Sequence, residues 1–194
     1  MPVTSPTAAV RREQIVSAAI DVIATEGLAR ASFARIAEQA GISSTRLISY
    51  HFAGRADLIA SVALSVVEAI GAHVGALVGA ESSARARLHA YLRGVVGFIA
   101  SNRAPMKALQ EVFLGGGFEG AARSDEQAID PLEAILRQGQ QDGEFRDFDA
   151  RVVATTVQRS VDGLVFLLES RPDLDLAAYV EELVTLFDLG TRAR

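Results

Sequence analysis

Apolar residues recur at helical spacing along almost the whole chain. The first such stripe follows the i, i+3, i+4, i+7, i+8 pattern of a single helix face, at Ile15, Ala18, Ala19, Val22 and Ile23. Gly27 ends this helix, because glycine readily adopts the left-handed conformation that closes helix C-termini. No segment shows the period of two that a half-buried strand requires. The pattern therefore predicts an all-α protein.

Glycine, serine and proline divide this pattern into about nine helices. Ser32 can cap a second helix, which Gly41 breaks after two turns. Ser43 and Ser44 offer the next cap, for a third helix that runs to about His51. The remaining predicted helices are 55–79, 83–101, 104–114, 125–141, 149–170 and 175–190.

Composition excludes several classes of protein. A chain of 194 residues that is 49% hydrophobic and 22% charged has the make-up of a folded protein. It contains no cysteine, which excludes disulfide scaffolds, zinc–cysteine sites and cysteine nucleophiles. No segment offers the roughly 18 consecutive apolar residues of a membrane span, and the N-terminus lacks the apolar core of a signal peptide. We expect a cytoplasmic protein that does not bind a membrane.

Residues 32–58 carry the clearest functional pattern. Two short helices meet at the turn Ala40-Gly41-Ile42, where small side chains allow a close crossing. This is the helix-turn-helix pattern, whose second helix enters the major groove of DNA. Hydroxyl groups at a helix N-terminus favour phosphate, and arginine can bind guanine through two hydrogen bonds. A helical hairpin used only for packing is the alternative. The candidate DNA-binding residues are Ser32, Arg35, Ser43, Ser44, Thr45, Arg46, Ser49, Tyr50, His51 and Arg55.

The same segment resembles the DNA-binding domain of TetR-family (tetracycline-repressor-like) transcriptional regulators. The resemblance rests on Ser32, Ile36-Ala37, Ala40-Gly41-Ile42-Ser43, Tyr50-His51-Phe52, Arg55 and Asp57-Leu58. It implies a ligand-responsive, sequence-specific DNA-binding regulator, usually a repressor. It also implies a DNA-binding domain at 1–54 and a ligand-binding and dimerisation domain at 55–194.

Between Ile42 and Phe52 the chain is one residue longer than the common family pattern. If the additional residue lies in the turn, as Ser43, then Ser44 caps the third helix and Ile48 fills the core. Leu47 then turns toward the groove and joins Thr45, Arg46 and Ser49 as a base-contacting candidate. If the residue lies within the helix, the helix faces rotate by about 100°. Tyr50, His51 and Arg55, the phosphate-contacting set, depend less on this choice.

No pattern indicates catalysis or a bound metal. His73 and His89 have no histidine or carboxylate three or four residues further on, so we expect no metal site. The glycine run 115–117 lacks the lysine and the hydroxyl residue of a phosphate loop. We expect a protein that is not an enzyme and that carries no cofactor.

The resemblance implies a cavity for a small molecule in the C-terminal helices. Apolar walls with few polar groups are typical of such pockets, although phenylalanine and methionine at helical spacing are also typical of ordinary core. The candidate lining residues are Tyr91, Phe98, Met106, Gln110, Phe113, Phe118, Arg159, Asp162 and Phe166.

The last two predicted helices are apolar on more than one side. One side of such a helix can serve the core and another a second subunit, which fits a two-fold homodimer. A helix buried all round within a monomer is the alternative. The candidate interface residues are Val157, Leu164, Leu168, Tyr179, Leu183 and Phe187.

Charge is divided unevenly along the chain. The net charge is −5, yet residues 1–56 hold six arginines against four acidic residues.

In the mechanism that the resemblance implies, two DNA-binding domains lie about 34–36 Å apart on a near-palindromic operator. A ligand changes that spacing, with the long fourth helix acting as a lever. The competing hypothesis is a helical small-molecule-binding or interaction module without a DNA role.

Overall fold

A computed structural model describes residues 6–116 and 121–193, with side chains described within 8–116 and 128–193. These residues form ten α-helices and a 3-10 turn, Leu28–Arg30, that follows the first helix. The helices are α1 (Pro6–Glu26), α2 (Phe33–Gln39), α3 (Thr45–His51), α4 (Arg55–Gly79), α5 (Ala84–Ser101), α6 (Arg103–Leu114), α7 (Ala121–Gln141), α8 (Ala150–Asp162), α9 (Leu164–Ser170) and α10 (Leu176–Thr191). Within these ranges the only β pairing is an isolated bridge between Phe145 and Arg192. The predicted all-α class is confirmed.

The single helix predicted over 149–170 is wrong. Gly163 separates α8 from α9, and glycine is less favourable than alanine inside a helix by about 1 kcal/mol. Its backbone remains in the right-handed helical region, at φ −70° and ψ −13°, so the interruption is local. If α8 and α9 are counted as one interrupted helix, the described residues form nine α-helices, the number that the pattern predicts.

One compact unit contains residues 1–68 and 103–121. We call it the head, since it contains the helix-turn-helix. In its core, α1 places Ile15 and Ile23 out of contact with solvent, and α2 and α3 contribute Ile36 and Ile48. The other major partner of α1 is α6, which buries Ala108, Leu109 and Val112. Helix α6 thus packs on α1, in the same compact unit as the helix-turn-helix, although the predicted boundary at 54/55 assigns it to the other domain. The division at 54/55 into a DNA-binding domain and a ligand-binding and dimerisation domain stays a prediction.

The second compact unit contains residues 69–102 and 122–194. Helix α5 packs against α8, α9 and α10, and the core includes Leu88, Leu92 and Leu164. Two bridges tie α5 to α10, between Arg93 and Glu181 at 2.8 Å and between Arg85 and Asp188 at 2.5 Å.

Helix α4 is the one helix in the described ranges that is long and apolar enough to cross a membrane, judged by length and composition alone. The expectation that no segment qualifies is corrected, since it counted only uninterrupted apolar runs and α4 contains Glu68 and His73. Only 22% of its apolar stretch is buried within the chain, and the residues that α4 buries in the head include Leu58, Val62 and Val66.

Candidate nucleic-acid interface

The turn between α2 and α3 is closed by backbone hydrogen bonds that depend on glycine. The Ile42 N–H donates to the Ala37 carbonyl at 2.8 Å, and the Gly41 N–H donates to the Glu38 carbonyl at 3.1 Å. This is a Schellman closure, which needs a left-handed residue, and Gly41 supplies it with φ +65°. The local sequence therefore ends α2 where the helix-turn-helix pattern predicts.

Serine caps fix where α2 and α3 begin. Ser32 Oγ accepts a hydrogen bond from the Arg35 N–H at 3.2 Å, and Ser44 Oγ accepts one from the Arg46 N–H at 3.2 Å. The additional residue therefore lies in the turn as Ser43, and Ile48 is fully buried. This is the first of the two registers that the sequence left open. Leu47 is only partly exposed in it.

One side of α3 is exposed and polar. Thr45, Arg46 and Ser49 are exposed, and within the described part of the chain the Arg46 guanidinium has no partner. Tyr50 is 79% exposed, and its ring meets the His51 ring edge-on at 5.1 Å.

Two predicted phosphate-contacting arginines have partners within the head. Arg35 Nε donates to Glu26 Oε1 at 2.7 Å and Arg35 Nη1 to Glu38 Oε2 at 3.1 Å. The hydrogen bond to Glu26, with the charges of both glutamates, raises the pKa of Arg35. Arg55 Nε donates to the Ala31 carbonyl at 3.2 Å, and its Nη2 donates to the Leu28 carbonyl. Both arginines thus have structural roles in the head, and their DNA contacts stay predictions.

Helix α1 contributes two side chains that the sequence analysis missed. Gln14 Nε2 donates to the Ala40 carbonyl at the helix-turn-helix turn, at 2.7 Å. Arg12 Nη2 donates to Ser61 Oγ of α4 at 2.6 Å. Both residues lie on a polar helix face that looks like ordinary solvent-facing sequence, so no local pattern marks them.

The candidate pocket residues divide between the two compact units. Met106, Gln110 and Phe113 lie on α6 in the head, spaced i, i+4, i+7, on the side away from the buried Ala108 and Val112. Gln110 Oε1 is buried and has no hydrogen-bond partner. Phe118 lies outside the described residues.

The other candidates belong to the second unit, where a polar chain links three of them through Gln158. The buried Tyr91 hydroxyl donates to Gln158 Oε1, and Gln158 Nε2 donates to Asp162 Oδ1 at 2.6 Å. Arg159 Nη1 donates to Asp162 Oδ2 at 2.6 Å. Burial, with the nearby Asp162 charge, raises the pKa of Tyr91. Phe98 packs beside His73, at 5.7 Å between ring centroids, whereas Phe166 is 48% exposed.

Most of the candidate interface residues are buried within one chain, and their role in a dimer stays a prediction. Val157 and Leu164 are completely buried, so they expose no surface to a second subunit. Leu168 and Phe187 are also buried, and Leu183 is partly buried. Tyr179 is partly buried, and its hydroxyl donates to the Ser160 carbonyl at 3.1 Å. The exposed apolar side chains of these helices are instead Val152, Phe166, Leu186 and Leu189.

Of the two other histidines, His89 has a carboxylate partner. His89 Nε2 lies 3.1 Å from Asp188 Oδ1, a residue far away in sequence that helical spacing could not indicate. Within the described ranges no three His, Cys, Asp or Glu side chains are grouped to hold a metal ion.

The family comparisons match both parts of the chain. The model for bacterial regulatory proteins of the tetR family matches residues 15–62. The model for the tetracyclin repressor-like C-terminal domain matches residues 89–187, just over half of the chain. No curated protein sequence matches the chain.

Solved structures with the same fold include several regulators. A putative TetR-family transcriptional regulator from Rhodococcus sp. is 24% identical, with a TM-score of 0.78 over 93% of this chain and 98% of that one. The fatty acid degradation regulator FadR from Bacillus halodurans is 20% identical, with a TM-score of 0.83 over 100% of both chains. A putative transcriptional regulator from Saccharomonospora viridis, in complex with choline, is 20% identical, with a TM-score of 0.83 over 96% and 100%. With a helix-turn-helix head and both family models matched, the chain belongs to the tetR family of bacterial regulatory proteins, which are DNA-binding transcriptional regulators.

Proposed function

We propose that this DNA-binding regulator is a homodimeric repressor that binds a near-palindromic operator and is released by a small molecule. The observation that carries DNA reading is the exposed group Thr45, Arg46 and Ser49 on a helix that the buried Ile48 anchors in the head. A helix anchored in this way can enter the major groove without changing the head. Nothing in the fold or the family matches favours a helical module without a DNA role.

The base and phosphate contacts divide between α3 and its ends. The Arg46 side chain is exposed, and its guanidinium has no partner among the described residues. It has the length and geometry to bind guanine through two hydrogen bonds. Tyr50 and His51, at the end of α3, suit flanking phosphates, and the exposed Ser32, Ser43 and Ser44 supply hydroxyl groups at the helix starts. The mild positive charge of residues 1–56 means that affinity depends on these directed contacts and on dimerisation.

The second subunit is proposed to cover the outer face of α10. Leu186 and Leu189 are 61% and 56% exposed, while Val184 and Phe187 on the opposite face are buried. A helix with two apolar faces and only one covered within the chain is suited to a self-complementary two-fold contact. The proposed interface therefore keeps α10, which corresponds to one of the two helices that the sequence analysis predicted, but uses other side chains of it.

The effector is proposed to contact α6. Met106, Gln110 and Phe113 share one helix face, and the buried Gln110 acceptor would gain a partner from a ligand hydroxyl or N–H group. Among regulators of the same fold, one from Saccharomonospora viridis was solved with choline and FadR from Bacillus subtilis with stearoyl-CoA. Regulators of this family are generally not enzymes, and we place this one in the cytoplasm, where its DNA lies.

Selection of genomic fragments with the purified full chain tests the proposal directly. The wild type is expected to enrich fragments with a two-fold sequence, and an Arg46→Ala variant is expected to enrich fragments in which one position of each half-site is no longer fixed. Arg171→Ala, an exposed arginine of the second unit, is the matched control and should enrich the same fragments. Random enrichment by the wild type would contradict a role in sequence-specific regulation.

A further inference from the structure

The C-terminal end of α6 touches the 3-10 turn of the head. A Cβ atom added at Gly115 would lie 2.5 Å from Leu28 Cδ2 and 3.1 Å from the Glu111 carbonyl oxygen, so the Leu28 side chain would have to shift. Glu111 Oε2 lies 3.5 Å from the Leu28 backbone N–H. Gly115 does not have a positive φ, so the closeness of Leu28 and of the Glu111 carbonyl, rather than backbone strain, is what favours glycine there. Any displacement of this end of α6 must therefore move Leu28 or separate from it.

The same turn is tied to the start of α2 and to the start of α4. Arg55, the first residue of α4, donates to the carbonyls of Leu28 and Ala31. Ala31 is completely buried, and the next residue is Ser32, the cap of α2. A planar guanidinium that holds two carbonyls fixes their relative positions, which a single point charge would not do. Movement of the turn therefore reaches both helices that flank the reading helix α3.

One face of α6 carries the proposed effector contacts, and another face packs into the core of the head. Met106, Gln110 and Phe113, the proposed effector contacts, share one face, while Ala108 and Val112 are buried on another. All of these residues lie in the head.

We propose that Leu28, Gly115 and Arg55 are positioning residues that transmit the state of α6 to the DNA-reading helices within a single head. This inference rests on the proposed function and adds to it. A lever in α4 would change the distance between two heads, whereas this contact changes one head internally. The signature of the contact is therefore an altered affinity for a single half-site.

The test compares Gly115→Ala with wild type on two duplexes, a full operator selected by the wild type and one isolated half-site. The added methyl group displaces Leu28, and we expect a loss of about tenfold on both duplexes, within the range of measured couplings between sites. The double variant Leu28→Ala/Gly115→Ala, which makes room for the methyl group, should recover most of that loss. Gly97→Ala in α5, where an added Cβ meets nothing within 4 Å, is the matched control.

Melting temperatures and amide exchange separate positioning from simple destabilisation. Gly115→Ala should melt close to wild type and exchange faster at the amides of residues 31–35, with slower exchange restored in the double variant. If Gly115→Ala does not fold, Arg55→Lys decides, since it keeps the charge but cannot hold both carbonyls. It should show the same half-site loss together with faster exchange at the amides of residues 31–35, which loss of a phosphate contact alone would not produce. Wild-type affinity of the folded variants, a loss confined to the full operator, or no recovery in the double variant would each overturn the inference. A wild-type protein that binds no duplex would instead contradict the proposed function.

Discussion

The guanidinium of Arg12 in α1 lies 4.7 Å from the centroid of the Phe52 ring, which caps the end of α3. The same guanidinium donates to Ser61 of α4 at 2.6 Å, so one side chain joins three helices of the head. Gln14, two residues further along α1, holds the carbonyl of Ala40 at the turn before α3. Helix α1 thus contacts both the turn that precedes the reading helix and the residue that follows it.

Arg12→Ala should therefore destabilise the head. Loss of the cation–π contact and of the charged hydrogen bond is expected to lower the free energy of unfolding by about 1–2 kcal/mol. Urea unfolding followed by circular dichroism measures the change. Arg171→Ala, also an exposed arginine, should leave the midpoint unchanged, and equal midpoints for both variants would contradict the role of Arg12.

Arg46→Ala should relax sequence preference at one position of each half-site. A lost bidentate guanine contact reduces discrimination against the wrong base by about 1–3 kcal/mol. Binding to a set of operators with single base changes, at fixed salt concentration, measures this loss. A uniform loss on every duplex, with a shallower salt dependence, would show instead that Arg46 contacts phosphate.

Replacement of both exposed leucines of α10 should produce monomers. In Leu186→Arg/Leu189→Arg, two desolvated charges oppose the proposed interface, while the buried face with Val184 and Phe187 is untouched. Sedimentation or light scattering gives the mass in solution. Ala177→Arg, at an exposed position about 180° around the same helix from Leu186, is the control and should remain a dimer. A dimer in both variants would place the interface elsewhere.

The Asp188 cluster should make stability dependent on acid pH. Burial opposes ionisation of Asp188, but the hydrogen bonds and charges of Arg85 and His89 outweigh it and lower the pKa of this carboxyl. Because the pKa is lower in the folded state, the ionised carboxyl stabilises the fold at pH values above the unfolded-state pKa, about 3.9. This stabilisation is lost as the pH falls through the folded-state pKa. Asp188→Asn should thus be less stable than wild type at pH 7. That deficit should shrink below about pH 4, where Asp188 gains its proton in the unfolded wild type while it is still ionised in the folded protein.

Urea midpoints between pH 7 and pH 2 measure this dependence. Asp173→Asn, an exposed carboxylate in the turn before α10, is the matched control. A deficit of Asp188→Asn that stays constant across this range would show that the charge of Asp188 contributes nothing.

Gln110→Met should stabilise the unliganded protein. A buried acceptor without a partner costs about 1–3 kcal/mol, and methionine has similar length with no such requirement. Thermal unfolding should show a higher midpoint for this variant. Gln138→Met, in which the replaced amide donates to Asp142 at 2.9 Å and 3.0 Å, should show no gain. A lower midpoint for Gln110→Met would mean that the amide is satisfied in solution.

The features that the sequence predicted well depend on local chemistry. The caps Ser32 and Ser44 and the left-handed Gly41 act on neighbouring backbone groups, so a short stretch of sequence determines them. The break at Gly163 was missed because apolar spacing continues across it, from Val161 to Leu164 and Val165.

The features that the sequence missed depend on which helices meet. The apolar spacing of α8 and α9 identified Val157 and Leu164 as apolar, but could not tell a face turned to the core from one turned to a partner. Arg35 and Arg55 are of a residue type that commonly contacts phosphate. Within the head, however, Arg35 is hydrogen-bonded to a carboxylate and Arg55 to backbone carbonyls. The pairing of α6 with α1 joins segments far apart in the chain, which no local pattern encodes.

That pairing limits how the protein can be cut and recombined. A fragment that ends at residue 68 would lose the helix that covers part of the α1 core, and would expose apolar surface to water. Such a fragment is expected to aggregate or to fold poorly, even though it contains every residue of the helix-turn-helix. A chimaeric regulator that joins this DNA specificity to another sensor must therefore carry α6 with the head, or supply a replacement helix with equivalent packing.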